Sequence, residues 1–289
     1  MTPTVLFRPT PGDAGRPGPP LTISVIVSTY EHPRALGLVL AGLSRQTLTP
    51  LEVVIADDGS GPETRAMVEA WRPRLPFAVQ HVWHPDQGFR KCAILNRAIV
   101  AARGTYLVFF DGDCVPPAHC LAAHAARAAR HRYLSGGKVL LSPRFSAALD
   151  EAAVLRGDLE RVGWWWFRVR RPRRLFASRV PLLRDLLDRN VPRPPGWRGE
   201  NASTFADHVR AVRGFDERFT YGFEDADFGH RLAAIGVTAL SLRYTAPVYH
   251  LDHPRPWRTD AVIAANKALY DANRALHMAA TPYGIGSET

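Results

Sequence analysis

Hydrophobic runs of strand length alternate with helical patterns along the first half of the chain. The strand-length runs are rich in valine, isoleucine and phenylalanine, whereas the helical patterns repeat apolar residues every three or four positions. This alternation predicts a mostly parallel sheet with helices on both faces and ligand sites at the carboxyl ends of its strands. The predicted strands are 23–28, 51–57, 77–83 and 106–111, and the predicted helices are about 34–46, 63–71 and 89–102.

The pattern changes on both sides of this region. Residues 1–20 hold six prolines and three glycines and predict a flexible tail, and residues 21–289 predict one domain. Between residues 142 and 200 the alternation lapses into helical spacings over 145–162 and 182–187, which predict a helical insert. Regular elements resume with a predicted helix at 224–234, a strand at 238–242 and a final helix at 261–277.

Composition narrows the class of protein. No apolar run approaches the roughly 18–20 residues of a membrane-spanning helix, and no secretory pattern begins the chain. Three cysteines without a CxxC spacing predict neither a disulfide framework nor a zinc site, so we expect a cytoplasmic protein. A net charge of +10 indicates acidic partners, but it does not separate nucleic acid, anionic lipid and phosphorylated small molecules. All but three of the 37 basic residues are arginine, which reflects a GC-rich genome at least as much as a binding preference.

Polar side chains follow the first two predicted strands. The first strand ends in Ser28, Thr29 and Tyr30, and the second ends in Asp57 and Asp58 before a glycine. Hydroxyl and carboxylate groups held at strand ends suit the base and ribose of a nucleoside. The alternative is that Asp57 or Asp58 caps the next helix or turn.

The sequence Asp111-Gly112-Asp113 follows a third hydrophobic strand. Carboxylates two residues apart in a strand lie on one face, and Gly112 lets the backbone bend so that they address different atoms of one ligand. Two such acids repel each other unless a cation lies between them, so we predict a divalent metal that binds a diphosphate. A simple turn is the alternative.

Two further groups lie near predicted helix starts. Asp86 precedes Arg90 and Lys91, whose positive charges suit a phosphate, although a solvated first turn has the same composition. Glu224 and Asp225 open a later helix, where the macrodipole favours ionised carboxylates that can act as a general base or simply cap the helix.

His250 and His253 follow an apolar strand late in the chain. Two histidines three residues apart can reach one ion from one turn of the chain. Isolated surface histidines are the alternative interpretation.

These elements, in this order, resemble the nucleotide-sugar glycosyltransferases of the GT-A fold, specifically family 2 enzymes related to galactosyltransferase and chondroitin-polymerase modules. The resemblance implies an α/β fold, a Rossmann-like α/β/α sandwich with a mostly parallel central sheet. It implies a nucleotide-binding half at 21–141, the basic and aromatic insert at 142–200, and an acceptor-binding and catalytic half at 201–289. The matching motifs are 23–30, 55–60, 86–88, 95–97, 111–113, 199–203, 214–217 and 222–225.

The resemblance also implies roles for individual residues. Asp113 with His250 or His253 would hold the metal, and Asp225 beside Glu224 would be the catalytic base. Tyr221 and Phe223 replace a tryptophan and a glycine of the family pattern, which leaves donor sugar and acceptor open. The implied nucleotide-binding and donor-binding residues are Ser28, Thr29, Tyr30, Asp57, Asp58, Asp86, Arg90, Asn96, Asp111, Gly112 and Asn201.

The implied function is a metal-dependent, inverting transfer of a hexosyl group from a nucleotide sugar, with UDP as the expected carrier and Mn²⁺ or Mg²⁺ as the cofactor. The acceptor would be a glycan, a lipid-linked sugar or a small molecule in bacterial biosynthesis. A non-catalytic nucleotide or nucleic-acid binding module is the alternative. The acids at the strand ends argue against this alternative because carboxylates repel phosphate in the absence of a metal. We therefore expect no nucleic-acid partner.

The insert at 142–200 carries the Trp164–Phe167 run followed by several arginines, and residues 143–200 hold 13 arginines against 7 acids. Indole rings and cationic side chains together suit an anionic membrane surface, which predicts peripheral contact at the inner face of the membrane. Alternatively, the aromatic run is core that covers the acceptor cleft.

Overall fold

The computed structural model describes residues 21–161, 181–191, 196–254 and 256–286. The predicted tail at 1–20 and the Trp164–Phe167 run lie outside these ranges. The described strands are β1 (Ile23–Thr29), β2 (Glu52–Asp57), β3 (Ala78–Trp83), β4 (Tyr106–Asp111), β5 (Cys114–Val115), β6 (Arg132–Gly136), β7 (Lys138–Leu140), β8 (Asn201–Phe205), β9 (Thr238–Leu242) and β10 (Val248–His250). The described helices are α1 (Pro33–Ser44), α2 (Pro62–Trp71), α3 (Lys91–Ala101), α4 (Cys120–Arg127), α5 (Pro143–Ala148), α6 (Glu151–Leu155), α7 (Pro181–Arg189), α8 (Ala206–Ala211), α9 (Glu224–Ala234) and α10 (Asp260–Ala275).

A seven-stranded sheet forms the centre of the molecule, in the order β3-β2-β1-β4-β8-β6-β9. The pairs β3-β2, β2-β1, β1-β4 and β6-β9 are parallel, whereas β8 runs antiparallel to both of its neighbours. The predicted mostly parallel sheet is therefore confirmed. Because β1, β2 and β4 are adjacent and parallel, their carboxyl ends meet at one edge of the sheet.

Each central strand buries both of its faces. In β1, Val25 and Val27 belong to one apolar core and Ile26 to the other, because successive side chains point to opposite faces of the sheet. Strand β4 follows the same rule, with Val108 on the first face and Phe109 on the second. Burial on both sides explains the continuous hydrophobic runs that the sequence shows for these strands.

A second, three-stranded sheet has the order β5-β10-β7. Strand β10 pairs antiparallel with β5 and parallel with β7, so His250 lies opposite Cys114 on one side and Leu140 on the other. These strands are only two or three residues long, too short for a hydrophobic period to reveal. The small sheet nevertheless brings residues 113, 138 and 250 to the same side of the molecule.

The helical spacing over 145–162 predicts more helix than the structure contains. The described part of this segment forms the short helices α5 and α6 and one 3-10 turn at Asp158–Glu160. Leu149 is extended, and the Asp150 side chain accepts a hydrogen bond from the N–H of Ala153, which starts a new helix. Helix α7 is present, as predicted from the leucines at 182–187. Within the described ranges, no helix is long and apolar enough to cross a membrane.

Candidate active site

A cleft of about 760 Å³ opens at the carboxyl ends of β1, β2 and β4. Its lining includes these strand ends, the turn before α9 and the segment between β10 and α10. Eleven of the predicted site residues line it. They are Ser28, Thr29, Tyr30, Asp58, Asp111, Gly112, Asp113, Glu224, Asp225, His250 and His253.

Backbone hydrogen bonds hold the strand ends together. The N–H of Gly112 donates to the carbonyl of Ser28 at 2.7 Å, and the N–H of Asp58 donates to the carbonyl of Thr29 at 3.0 Å. A Cβ atom at position 112 would lie 2.9 Å from that Ser28 oxygen. Glycine is therefore required here by the close approach of two backbones, which agrees with the predicted bend between the two acids.

Asp58 is the buried acid on the nucleotide side. Its Oδ1 lies 2.7 Å from Nε2 of His84, and its Oδ2 accepts the N–H of Arg90 at 2.9 Å. Burial raises the pKa of Asp58, and the contacts with His84 and Arg90 oppose this rise. Nearby, the hydroxyl of Tyr30 donates to Asp86 at 3.0 Å, while Oγ1 of Thr29 is buried without a hydrogen-bond partner in the described structure. An unsatisfied buried hydroxyl facing a cleft is a group that a ligand can satisfy.

Asp57 points away from the cleft. Its carboxylate contacts Nε2 of His81 at 2.8 Å and accepts the N–H of Ser60 at 2.8 Å, so it closes the turn after β2. Burial raises the pKa of Asp57, but these hydrogen bonds outweigh it and hold the pKa below its usual value. Of the two neighbouring acids, the cleft therefore contains Asp58.

Four other predicted donor-binding residues lie outside the cleft lining, and one of them is Asp86, which accepts the hydroxyl of Tyr30. The Asn96 amide bonds the backbone of Phe215 and the Glu217 carboxylate. The Asn201 amide donates to two backbone carbonyls of the loops around the second sheet. The Arg90 guanidinium contacts Gln87, whereas its backbone N–H supports Asp58. Internal hydrogen bonds thus use the polar groups of both asparagines.

Asp111 shares one oxygen between two donors. Its Oδ1 accepts the hydroxyl of Ser28 at 2.9 Å and the ammonium of Lys91 at 2.6 Å. Burial lowers the pKa of Lys91, but the negative charges of Asp111, Asp225 and Glu224 outweigh burial and raise it well above its usual value. The sequence pattern indicated only a phosphate as partner of Lys91, although lysine is rare in this arginine-dominated chain.

Asp113, His250 and His253 form a cluster whose ligand atoms face one another. Nε2 of His253 lies 2.6 Å from Oδ2 of Asp113, and Nε2 of His250 lies 3.8 Å from the same oxygen. The Nδ1 atoms of these histidines lie 2.6 and 2.7 Å from the carbonyls of Leu251 and Pro254. A carbonyl only accepts, so Nδ1 of each ring carries a proton, and Nε2 is the atom that could donate a lone pair to a cation held between the rings and Asp113.

This donor set fits a divalent cation. Two imidazole lone pairs and a carboxylate converge, and only a shared cation or a protonated ring can hold them together. Burial raises the pKa of Asp113, yet the two histidines outweigh it and hold the pKa well below its usual value. The thiol of Cys114 lies within 4.8 Å of the ligand atoms of Asp113 and His250, but burial raises the pKa of the thiol well above the usual value, and its Sγ donates to Asp113 at 3.3 Å.

The acidic pair Glu224 and Asp225 lines the same cleft from the first turn of α9. The Asp225 carboxylate accepts the N–H of Gly199 at 2.9 Å, and Oε2 of Glu224 is buried without a hydrogen-bond partner in the described ranges. Burial raises the pKa values of both acids, and Lys91 lowers both. A half-buried carboxylate with a raised pKa in a cleft can accept a proton from a bound hydroxyl.

Lys138, Glu200, Phe89 and Trp257 line the cleft without having been predicted as site residues. Lys138 of β7 pairs with Glu200 at 3.1 Å, and aromatic rings of four separate segments meet at the cleft mouth. Their ring centroids lie 5.5 to 6.3 Å apart, in the order Tyr30, Trp257, Phe89 and Tyr221. The positions are distant in sequence, so no local pattern reveals this grouping.

Residues 24–143 match the family model for Glycosyl transferase family 2, which covers β1 to β7 and the acids at the strand ends. The chain belongs to glycosyltransferase family 2. A validoxylamine A glucosyltransferase of Streptomyces hygroscopicus subsp. limoneus is 32% identical over 238 residues, which is 74% of this chain and 48% of that protein. The chain thus spans about half the length of this relative.

The solved structures that this chain resembles are glycosyltransferases with the GT-A fold. A Pyrobaculum calidifontis mannosyltransferase, solved with GDP-Man and Mn²⁺, has a TM-score of 0.59 at 22% identity and covers 91% of this chain and 66% of its own. Residues 1–349 of S. aureus TarS, solved with UDP-GlcNAc, have a TM-score of 0.53 at 19% identity. This match covers 81% of the present chain and 60% of the TarS chain. The predicted fold and family are confirmed.

Proposed function

We propose that this family 2 chain is a glycosyltransferase that moves a hexosyl group from a nucleotide sugar to an acceptor hydroxyl with inversion of configuration. One observation carries the proposal: the Asp225 carboxylate and the cluster of Asp113, His250 and His253 line the same cleft at the strand ends. A proton acceptor and a cation-binding set in one cleft suit a displacement that generates a diphosphate leaving group.

Asp113, His250 and His253 would hold the divalent cation, for which Mn²⁺ is our first choice because carboxylate and imidazole ligands occur together. When bound, the cation supplies positive charge that stabilises the departing diphosphate. Tyr30, Asp58 and Asp86 would surround the base, and Asp111 would face the ribose or the donor sugar. Arg90, Asn96 and Asn201 would then act behind the site rather than on the donor.

Asp225 would accept the proton of the acceptor hydroxyl as that oxygen attacks the anomeric carbon from the side opposite the diphosphate. The C–O bond to the diphosphate breaks as the new glycosidic bond forms, so one displacement inverts the configuration. The N–H of Gly199 orients the Asp225 carboxylate for this step. Glu224 is next to it, with a buried oxygen that a hydroxyl of the acceptor or the donor sugar can satisfy.

We propose a UDP-sugar as donor and a small hydroxylated molecule, a glycan or a lipid-linked sugar as acceptor. The UDP-GlcNAc complex of TarS and the name of the validoxylamine A relative support this choice, while the GDP-Man complex of the mannosyltransferase makes GDP the alternative. A panel of UDP-, GDP- and dTDP-sugars with Mn²⁺, followed by release of nucleotide, tests the donor. Absence of transfer and of donor hydrolysis across the panel would contradict the proposed function.

The anomeric proton coupling of the isolated product tests inversion. An α-linked donor sugar should give a β-linked product, and an α linkage would contradict the single displacement. We also propose a cytoplasmic site of action with peripheral membrane contact through residues 142–200. Co-sedimentation with anionic liposomes at low salt tests this contact, which absence of binding would exclude.

A further inference from the structure

The cation cluster borders a thiol that the proposed reaction does not use. Cys114 is fully buried and does not line the cleft, whereas its neighbour Asp113 does, and so does His250. Strands β5 and β10 pair antiparallel with Cys114 directly opposite His250, so both side chains lie on the same face of the small sheet. Chain continuity and strand pairing thus bring a thiol, a carboxylate and an imidazole together.

The spacing of these three groups is close to that of ligands to one metal ion. The ligand atoms of Asp113, Cys114 and His250 all lie within 4.8 Å of one another. Zinc ligands lie about 2.0–2.3 Å from the ion, so two of them are at most about 4.6 Å apart. The Sγ atom approaches Oδ1 of Asp113 at 3.3 Å, whereas Nε2 of His250 approaches Oδ2 at 3.8 Å. One carboxylate therefore faces the thiol with one oxygen and the imidazole with the other.

The thiol changes which cation this cluster suits. Carboxylate and imidazole groups accept Mn²⁺, whereas a thiolate favours softer ions such as Zn²⁺. The Cys114 thiol donates to Asp113, so the sulfur holds a proton in this arrangement. Zinc displaces such a proton to solvent as the zinc–sulfur bond forms. A harder cation leaves the proton in place and uses the carboxylate and the imidazoles.

We propose that Asp113, Cys114 and His250 form a thiophilic cation site that overlaps the Mn²⁺ site, and that Zn²⁺ bound there blocks the position of the diphosphate. Zinc held only by protein takes four ligands in a tetrahedron. His253, whose Nε2 lies 2.6 Å from Oδ2 of Asp113, supplies the fourth. A zinc ion with four protein ligands has no open position for phosphate oxygens. The inhibition rests on the proposed function, whereas the binding of the ion does not.

Co²⁺ is the probe for this site, because it occupies zinc positions and reports a bound thiolate through a sulfur-to-cobalt charge-transfer absorption in the near ultraviolet. The reduced chain is titrated with Co²⁺ under anaerobic conditions, without nucleotide sugar. The wild type should develop the absorption as Co²⁺ is added, and Zn²⁺ should then remove it. Absence of the absorption in the wild type, whether or not Co²⁺ binds, would overturn the proposal.

Cysteine variants assign the sulfur. Cys114→Ser should lack the charge-transfer absorption, and Cys114→Ala takes its place if serine prevents folding. Cys120→Ser is the matched control, because Cys120 is a fully buried cysteine of the same apolar core, and it should keep the absorption. An absorption that persists without the Cys114 thiol would place the ion on another cysteine and equally overturn the proposal.

Inhibition of Mn²⁺-supported transfer by Zn²⁺ is the second measurement. Half-inhibition of Cys114→Ser should need at least about 10-fold more Zn²⁺ than half-inhibition of the wild type, because one ligand is lost. Cys120→Ser should match the wild type. Equal Zn²⁺ sensitivity of Cys114→Ser and the wild type would overturn the blocking role. A charge-transfer absorption in a wild-type chain that transfers no sugar would overturn the proposed function and leave the thiophilic site standing.

Discussion

His253 Nε2 lies 2.6 Å from Oδ2 of Asp113, while Nδ1 of the same ring lies 2.7 Å from the carbonyl of Pro254. The backbone carbonyl thus fixes the tautomer and aims the other nitrogen at the carboxylate. In metal sites this arrangement of an outer acceptor behind a histidine orients the ligand and strengthens it. The relationship gives the first prediction.

Asp113→Ala and His253→Ala should each weaken Mn²⁺ binding by at least about 10-fold, since each removes a donor atom from the cluster. Electron paramagnetic resonance of free Mn²⁺, titrated with protein in the absence of any nucleotide sugar, measures this directly. His131→Ala is the matched control because His131 is exposed and contacts Arg132. Equal Mn²⁺ affinity in all three variants and the wild type would exclude the cluster as the metal site.

Asp225→Asn should lower kcat by about 10²- to 10⁴-fold because asparagine cannot accept the proton. The amide oxygen can still accept the N–H of Gly199, so the fold and donor affinity should be retained. Transfer kinetics and calorimetry with the donor separate the two effects. A loss of donor affinity as large as the loss of kcat would assign Asp225 to donor binding. The control is Asp271→Asn, at an exposed position on α10.

The pH dependence of transfer should follow the raised pKa of Asp225. The ionised carboxylate is the active form, and burial raises its pKa well above the usual aspartate value. Activity should therefore be high at neutral to alkaline pH and fall as pH drops through a midpoint above that usual value. An acidic limb of kcat/KM at the ordinary aspartate pKa of about 4 would contradict this assignment.

Gly199→Ala should reduce kcat with little effect on stability. A Cβ atom at position 199 would lie 2.9 Å from Oδ1 of Asp225, which the carboxylate can avoid only by leaving its position. Gly196→Ala is the matched control, since a Cβ there has open space. We expect kcat to fall at least about 10-fold in the first variant, as small displacements of reacting groups are costly. Equal kcat in the two variants would contradict the role of Gly199.

Stability should decrease in acid through His124. Its ring lies in the core, with Nε2 facing Oδ1 of Asn201 at 3.0 Å and Nδ1 facing Oγ of Ser203 at 2.7 Å. Burial lowers the pKa of His124 to about 4, so the folded state holds the ring neutral where the unfolded chain protonates it. The stability that depends on the neutral ring is fully present above about pH 6.5. It decreases as pH falls from there to about 4, by about 3 kcal/mol in total.

Denaturant unfolding of the wild type and His124→Gln between pH 7.5 and 4.5 measures the stability that is lost in acid through His124. The variant is expected to be less stable at pH 7.5 but to lose less free energy of unfolding on acidification, by roughly 2–3 kcal/mol. His131→Gln, on the surface, should keep the wild-type slope. Parallel pH profiles for wild type and His124→Gln would show that His124 is not the group responsible.

The sequence predicted the first half of the fold well because strands β1, β2 and β4 are buried on both faces. Strand β4 begins and ends where the hydrophobic run does, and the acids after it identify the cleft. The short strands β5, β7 and β10 have no such signal, because each is defined by its partners rather than by its own residues. The sequence named Asp58 for the nucleotide with Asp57 as a nearby alternative, and the hydrogen bonds of Asp57 to Ser60 and His81 separate the two.

Contacts with distant parts of the chain also determine what Asn201 and Lys91 do, so the sequence did not reveal their roles. The motif containing Asn201 was matched to a family pattern, yet its amide is consumed by backbone carbonyls next to the second sheet. Lys91 lies in a helix whose start resembles a solvated turn, and its partners Asp111, Glu224 and Asp225 come from positions 20 to 134 residues away. Local composition cannot reveal a charge balance that folding assembles.

The three-stranded sheet has a consequence for the order in which the protein matures during synthesis. Strand β10 joins β5 and β7 only after more than 100 further residues have been translated, and His250 lies in it. The strands of the nucleotide-binding half are therefore translated while the cation cluster is still incomplete. A nascent chain halted before β10 would lack His250 and His253, so it could shape the nucleotide side of the cleft without the ability to load the ion.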